Sequence, residues 1–74
     1  MMLEIHAEWD EDAAVWVATS EDIPGLITEA ANIALLVERL KKIIPELMEL
    51  NCGLIHQDFP FRIIAEQTAT AQAA

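Results

Sequence analysis

The sequence predicts an α+β domain: a three-stranded antiparallel meander, one helix packed on one face, and a fourth strand completing the sheet. Three observations carry this. Leu3 to Trp9 alternates apolar and polar residues, Ile33 to Leu50 repeats apolar residues at helical spacing, and Pro24-Gly25 punctuates the stretch between them. The length of 74 residues leaves room for one domain, expected over residues 1–66, with 67–74 as a disordered tail.

In the first strand Leu3, Ile5, Ala7 and Trp9 share one face, and Glu4, His6 and Glu8 share the other. Asp10-Glu11-Asp12-Ala13 reads as a hairpin turn, without the glycine that would fix its type. A second strand, Ala14 to Thr19, is β-rich in Val15, Trp16 and Val17. Pairing Trp9 with Ala14 would set Ala7 against Trp16 and Ile5 against Ala18; a one-residue slip would exchange the faces of the second strand. In either register that strand is apolar on both sides, whereas a single helix layer covers only one. Its other side is therefore a candidate contact surface. Trp9 and Trp16 are read first as core of the hairpin, and second as anchors of an interface, where tryptophan buries a large area.

Pro24 presets φ for a turn, and Gly25 supplies the positive φ that a type II turn requires next. Leu26 to Glu29 then reads as a short third strand. Asn32 is placed to cap the helix. Leu36, Leu40, Ile43, Leu47 and Leu50 form its apolar stripe, widened by Ile33, Val37, Ile44 and Met48, with Glu38 set to pair with Lys42. Asn51-Cys52-Gly53 ends it. Pro45 removes one helical hydrogen bond, but the stripe stays in phase across it, which favours a kink over a break. Pro60 to Glu66 reads as the last strand, with proline tolerated at its first residue.

Composition bounds the function. The chain is 54% hydrophobic yet carries a net charge of −9. A domain this small buries only about 60% of its unfolded surface and usually needs further support. The single Cys52 excludes an internal disulfide, and Cys52, His6 and His56 lack the spacing of a zinc site. Self-association as a dimer or higher homo-oligomer, or packing on another protein, is the remaining support. The lone thiol, the absence of a signal-like start and the absence of a run of about 18 apolar residues give a cytoplasmic, non-membrane expectation.

Glu4, Glu8, Asp10, Glu11, Asp12, Glu21, Asp22 and Glu29 all precede the first basic residue, Arg39. Such a half repels phosphate, which argues against direct nucleic-acid binding, and suits a basic protein partner; its plainer reading is a solvated acidic surface. No catalytic signature is present. Cys52 and His56 lie four apart, but an activated thiol needs an electropositive setting, and this chain offers the opposite. Glu4, His6 and Glu8 share a strand face, where a lone histidine between exposed carboxylates is read as solvated and not as a metal ligand. No catalytic, cofactor or metal site is expected. The expected partner or dimer interface is Glu8, Asp10, Glu11, Asp12, Val15, Trp16 and Val17.

Ala7-Glu8-Trp9-Asp10, Val15-Trp16-Val17-Ala18-Thr19-Ser20 and Ile23-Pro24-Gly25-Leu26-Ile27-Thr28-Glu29-Ala30, in that order, resemble the bacterial DUF1902 family, of unknown function, as does the helix ending Pro45 to Asn51. The resemblance spans roughly residues 4 to 66. More distantly the chain is similar to the N-terminal domain of HicB-like antitoxins, which share the Pro-Gly turn before the third strand. That resemblance implies a partial ribonuclease-H-like fold with the fourth strand beside the first. It also implies a non-catalytic, acidic domain that covers a small basic ribonuclease toxin. The chain departs from the pattern in having no DNA-binding module after its last strand and no ribonuclease-H carboxylate set. A stand-alone homo-oligomeric structural protein without a toxin partner is the alternative.

Overall fold

In a computed structural model, which describes residues 2–74, the chain forms β1 (Leu3–Asp10), β2 (Val15–Thr19), β3 (Ile27–Ala30), α1 (Ile33–Cys52) and β4 (Phe61–Glu66). Met1, the first residue of the expected domain, lies outside the described residues. The four strands make one sheet in the order β3-β2-β1-β4. β1–β2 and β2–β3 are antiparallel, while β4 runs parallel to β1, so the α+β fold expected from sequence is built on a mixed sheet. The helical crossover is what permits that parallel return.

The hairpin register differs from the one considered above. Trp9 pairs with Trp16 and Ala7 with Ala18, two residues away from a Trp9–Ala14 pairing. The loop is Glu11 to Ala14, one residue later than expected, and Ala14 is not in the strand. Its φ of 55° is left-handed, and Asp10 Oδ1 accepts from the amides of Asp12 and Ala13 at 3.1 and 3.2 Å. A two-residue shift preserves the faces, so the division of β1 and β2 into core and outer sides survives.

At Pro24-Gly25 the turn forms: Gly25 takes φ 81°, and the Leu26 amide donates to Ile23 O at 3.2 Å. Leu26 belongs to this turn, so β3 begins one residue later than read from sequence. Ile23 and Leu26 are both buried, and Asn51 Nδ2 donates to Pro24 O at 3.0 Å, tying the turn to the end of α1. Beyond the β1–β2 ladder, side chains replace strand partners. Ser20 Oγ donates to Glu4 O at 2.6 Å, and Asp22 Oδ2 accepts from the Glu4 amide at 2.8 Å.

Asn32, extended at φ −148°, caps α1 by accepting from the Leu35 amide at 2.8 Å. Gly53, at φ 68°, ends it, as the Gly53 and Leu54 amides return to the carbonyls of Glu49 and Met48. The helix is unbroken across Pro45. Its buried line is Leu36, Leu40, Ile44 and Met48, with Ile33, Ile43 and Leu47 packed beside it. Leu50 is 80% exposed, contrary to the expected stripe. At about 100° per residue it lies roughly a quarter-turn from the centre of that line. Glu38 pairs with Lys41 at 3.3 Å, not with Lys42, since i+3 and i+4 flank the same exposed position. Pro60 precedes β4, and its carbonyl accepts from the Leu3 amide at 2.9 Å.

The core lies between α1 and one face of the sheet: Leu3, Ile5, Ala7, Ala18 and Ala30 against the helix, closed by Ile23 and Leu26. Among the described residues no buried residue is polar or charged. Residues 67–74 are exposed, without helix or strand.

Candidate protein-binding face

The strand registers assign every residue of the sheet to a side. With Leu3, Ile5 and Ala7 under the helix, Trp9, Trp16, Ala18, Thr28, Ala30, Phe61, Ile63 and Ala65 share that side. The helix-free side carries Glu4, His6, Glu8 and Asp10 from β1, and Val15, Val17 and Thr19 from β2. β3 adds Ile27 and Glu29, and β4 adds Arg62, Ile64 and Glu66.

On this face an apolar group is set among carboxylates. Val15 and Val17 are half-buried, while Ile27 is 73% and Ile64 38% exposed. Directly opposite Val17 stand Glu8 on one neighbouring strand and Glu29 on the other. The one Lys or Arg in any strand is Arg62. Its Nη2 donates to Oε2 of Glu4, its partner in the parallel ladder, at 2.7 Å, and His6 Nε2 lies 3.2 Å from Glu4 Oε1. The Arg62 hydrogen bond, assisted by the charges of Arg62 and His6, outweighs partial desolvation and holds the Glu4 carboxyl below its ordinary value of 4.5. Arg62 is thus engaged on one side, and Glu8, Glu29 and Glu66 have no salt-bridge partner among the described residues.

The seven residues expected to form an interface do not share one surface. Glu8, Val15 and Val17 lie together on the helix-free face, and Asp10 lies at its end, where its carboxylate serves the loop. Glu11 and Asp12 are at the hairpin tip. Trp16 is on the opposite side, packed against the core, and makes an edge-to-face pair with Trp9, ring centroids 5.4 Å apart and planes at 62°. Sequence reasoning missed Ile27, Glu29, Arg62, Ile64 and Glu66 as members of the face. The signal for the β3 pair is the Pro-Gly turn, which fixes where β3 starts and hence the parity of Ile27 and Glu29. No comparable signal sets β4 against β1.

Chemistry elsewhere is sparse. Cys52 is exposed at the helix end. His56, at a left-handed φ of 56°, lines a shallow cavity of about 210 Å³ with Pro45, Glu49 and Phe59, and Cys52 is not part of its wall. Among the described residues no three His, Cys, Asp or Glu side chains converge as metal ligands, and no helix is long and apolar enough to cross a membrane.

The pattern described as Domain of unknown function (DUF1902) matches residues 2–73, nearly the whole chain. The chain belongs to the DUF1902 family. A solved structure, the crystal structure of hypothetical protein TTHA1013 from the extremely thermophilic bacterium Thermus thermophilus, is 38% identical to this DUF1902 chain. The match covers 99% of this chain and 100% of that one, with a TM-score of 0.73. Among curated proteins none matches.

Proposed function

We propose that this DUF1902 domain is a non-catalytic, cytoplasmic protein-binding module whose helix-free sheet face receives a small basic protein. Neutralising a basic ribonuclease, as in the HicB-like antitoxins that it resembles, is the form this binding would take. The observation that carries the reading is the composition of that face: Val15, Val17, Ile27 and Ile64 between Glu8, Glu29 and Glu66. Apolar groups supply the driving force of association, and surrounding carboxylates steer a cationic partner and reject acidic ones.

The test is co-expression with the product of a small basic gene encoded beside this one, followed by affinity capture and titration. A stoichiometric complex is expected, and Val17→Lys, which sets a cation at the centre of the face, should weaken it at least about tenfold. Absence of such a neighbour, absence of a complex, or a complex indifferent to Val17→Lys rejects the reading.

A further inference from the structure

The sheet has two edges, and they are not alike. β3 is four residues long and leads within three residues into the helix. β4 is six residues long, contains no proline, and has no strand on its outer side. An uninterrupted edge of this kind is a template for another strand unless it is guarded. Leu3 donates to the Pro60 carbonyl, and the alternation of a parallel ladder then turns the N–H and C=O groups of Phe61, Ile63 and Ala65 toward the open edge.

We infer that a second copy of this chain pairs with β4 in antiparallel fashion about a two-fold axis at Ile64, joining two sheets into one of eight strands. The charge pattern of the strand selects this occupant and this register. Centring on Ile64 sets Arg62 of each copy opposite Glu66 of the other, twice over, with Ile64 against itself and Ile63 against Ala65. Ile63 and Ala65, whose backbone groups face the edge, become the hydrogen-bonded pairs. Arg62–Glu66 falls at the non-hydrogen-bonded positions, where side chains approach most closely. Every other face-preserving register sets Arg62 against Ile64, against itself, or against a residue outside the strand such as Pro60 or the tail. The arrangement also uses the one strand cation, which sits on the edge strand of an otherwise acidic sheet. Within the chain Arg62 commits Nη2 to Glu4, and Glu66 faces only Glu8, a like charge. The intermolecular pair gives Glu66 the partner that its own sheet denies it.

An apolar feature lies beside the same edge. α1 packs chiefly over β3 and β2, leaving a groove of about 470 Å³ between the helix and β4. Ile33, Val37, Phe59, Phe61 and Ile63 line it. A two-fold axis perpendicular to the sheet brings both helices to one side, and in this register Ile63 of each groove faces Ala65 of the other copy. The opposite, helix-free faces also become continuous. Self-association does not depend on the basic partner proposed above, and each can fail alone.

The test is the mass of the full chain by sedimentation equilibrium at tens of micromolar. The native chain is expected to be a dimer. Glu66→Arg relieves the intrachain clash with Glu8 but opposes like charges across the seam, so it should raise the dimer dissociation constant by about tenfold or more while the chain stays folded. Arg62→Glu should do the same. An equimolar mixture of these two variants restores both opposite-charge pairs, and only the mixture should regain the dimer mass. Ala65→Pro removes an edge-facing donor that has no partner within the chain, and gives a second, uncharged way to monomerise it. A native monomer, an unchanged dimer in Glu66→Arg, or a mixture that stays monomeric overturns the inference.

Discussion

The two faces of this one sheet are built from the same three strands of meander and obey different rules. Under the helix, Leu3, Ile5, Ala7, Ala18 and Ala30 are almost fully buried, and none of the buried residues among those described is polar. One residue away in each strand, Glu4, His6, Glu8, Val17 and Glu29 face outward with no layer above them. The first face is selected for volume, because small alanines on the strands let Leu36, Leu40 and Ile44 of α1 approach closely. The second retains valine and isoleucine where solvation alone would favour polar residues, and that excess is the basis of the protein-binding proposal.

Cutting one large side chain from each face should separate them most sharply. Leu40 is completely buried, so Leu40→Ala should cost about 2–5 kcal/mol, a large fraction of the stability of a domain of this size. Val17→Ala on the other face should cost under about 1 kcal/mol. Urea denaturation followed by tryptophan fluorescence measures both. Similar losses would mean that the helix-free face is also core, and the division of the sheet would collapse.

An intermediate effect is expected where the covered face is sealed by a turn. Gly25 stands at φ 81°, and an added Cβ would meet Asn51 Nδ2 at 3.5 Å and Leu47 Cδ2 at 3.8 Å, which is ordinary contact. The cost of Gly25→Ala is therefore conformational, about 1–2 kcal/mol from the left-handed backbone. Stability measured by thermal melting should fall by that amount while the dimer mass and partner binding persist. A neutral substitution would show that the turn relaxes freely and that Ile23 and Leu26 do not depend on it.

How much of this is legible in the sequence follows from what each feature depends on. Local periodicity reveals β1, the helix and its Asn32 cap, and the Pro-Gly turn, because each is encoded within a few residues. The hairpin register comes out two residues off, since the decisive residue, Ala14, adopts a left-handed φ that nothing about alanine announces. Leu50 fits a heptad repeat with Leu36 and Ile43 yet lies outside the buried line, since Leu40, Ile44 and Met48 carry that line about a quarter-turn away from it. The helix-free face is half legible. Alternation in β1 and β2 separates Val17 from Ala18, but Trp16 falls on the other side of the sheet, because a residue's chemistry does not state its parity. Arg62, Ile64 and Glu66 join the face only through a parallel pairing made 58 residues apart, for which the sequence holds no local signal.

The smallest expected effect lies at the one ion pair between strands among the described residues, that of Arg62 and Glu4 on the helix-free face. Arg62 holds the Glu4 carboxyl below 4.5, so the folded state binds a proton at this site less readily than the unfolded chain. Linkage then fixes the sign: the pair stabilises the fold above about 4.5, and that contribution fades as pH falls through the lower folded value. Glu4 is about one-third exposed, with side-chain accessibility of 34%, so solvent screens the pair and its contribution is modest. Glu4→Gln should lower stability slightly at neutral pH and flatten this part of the acid limb, leaving the two curves to converge at the acid end. A parallel offset at all pH values would assign the loss to the hydrogen bond and not to charge. The same variant frees Arg62 from its intrachain partner without altering Glu66, so its dimer should be at least as tight as the native one. A dimer that weakens in Glu4→Gln would show that the Arg62–Glu4 pair supports the seam and does not compete with it.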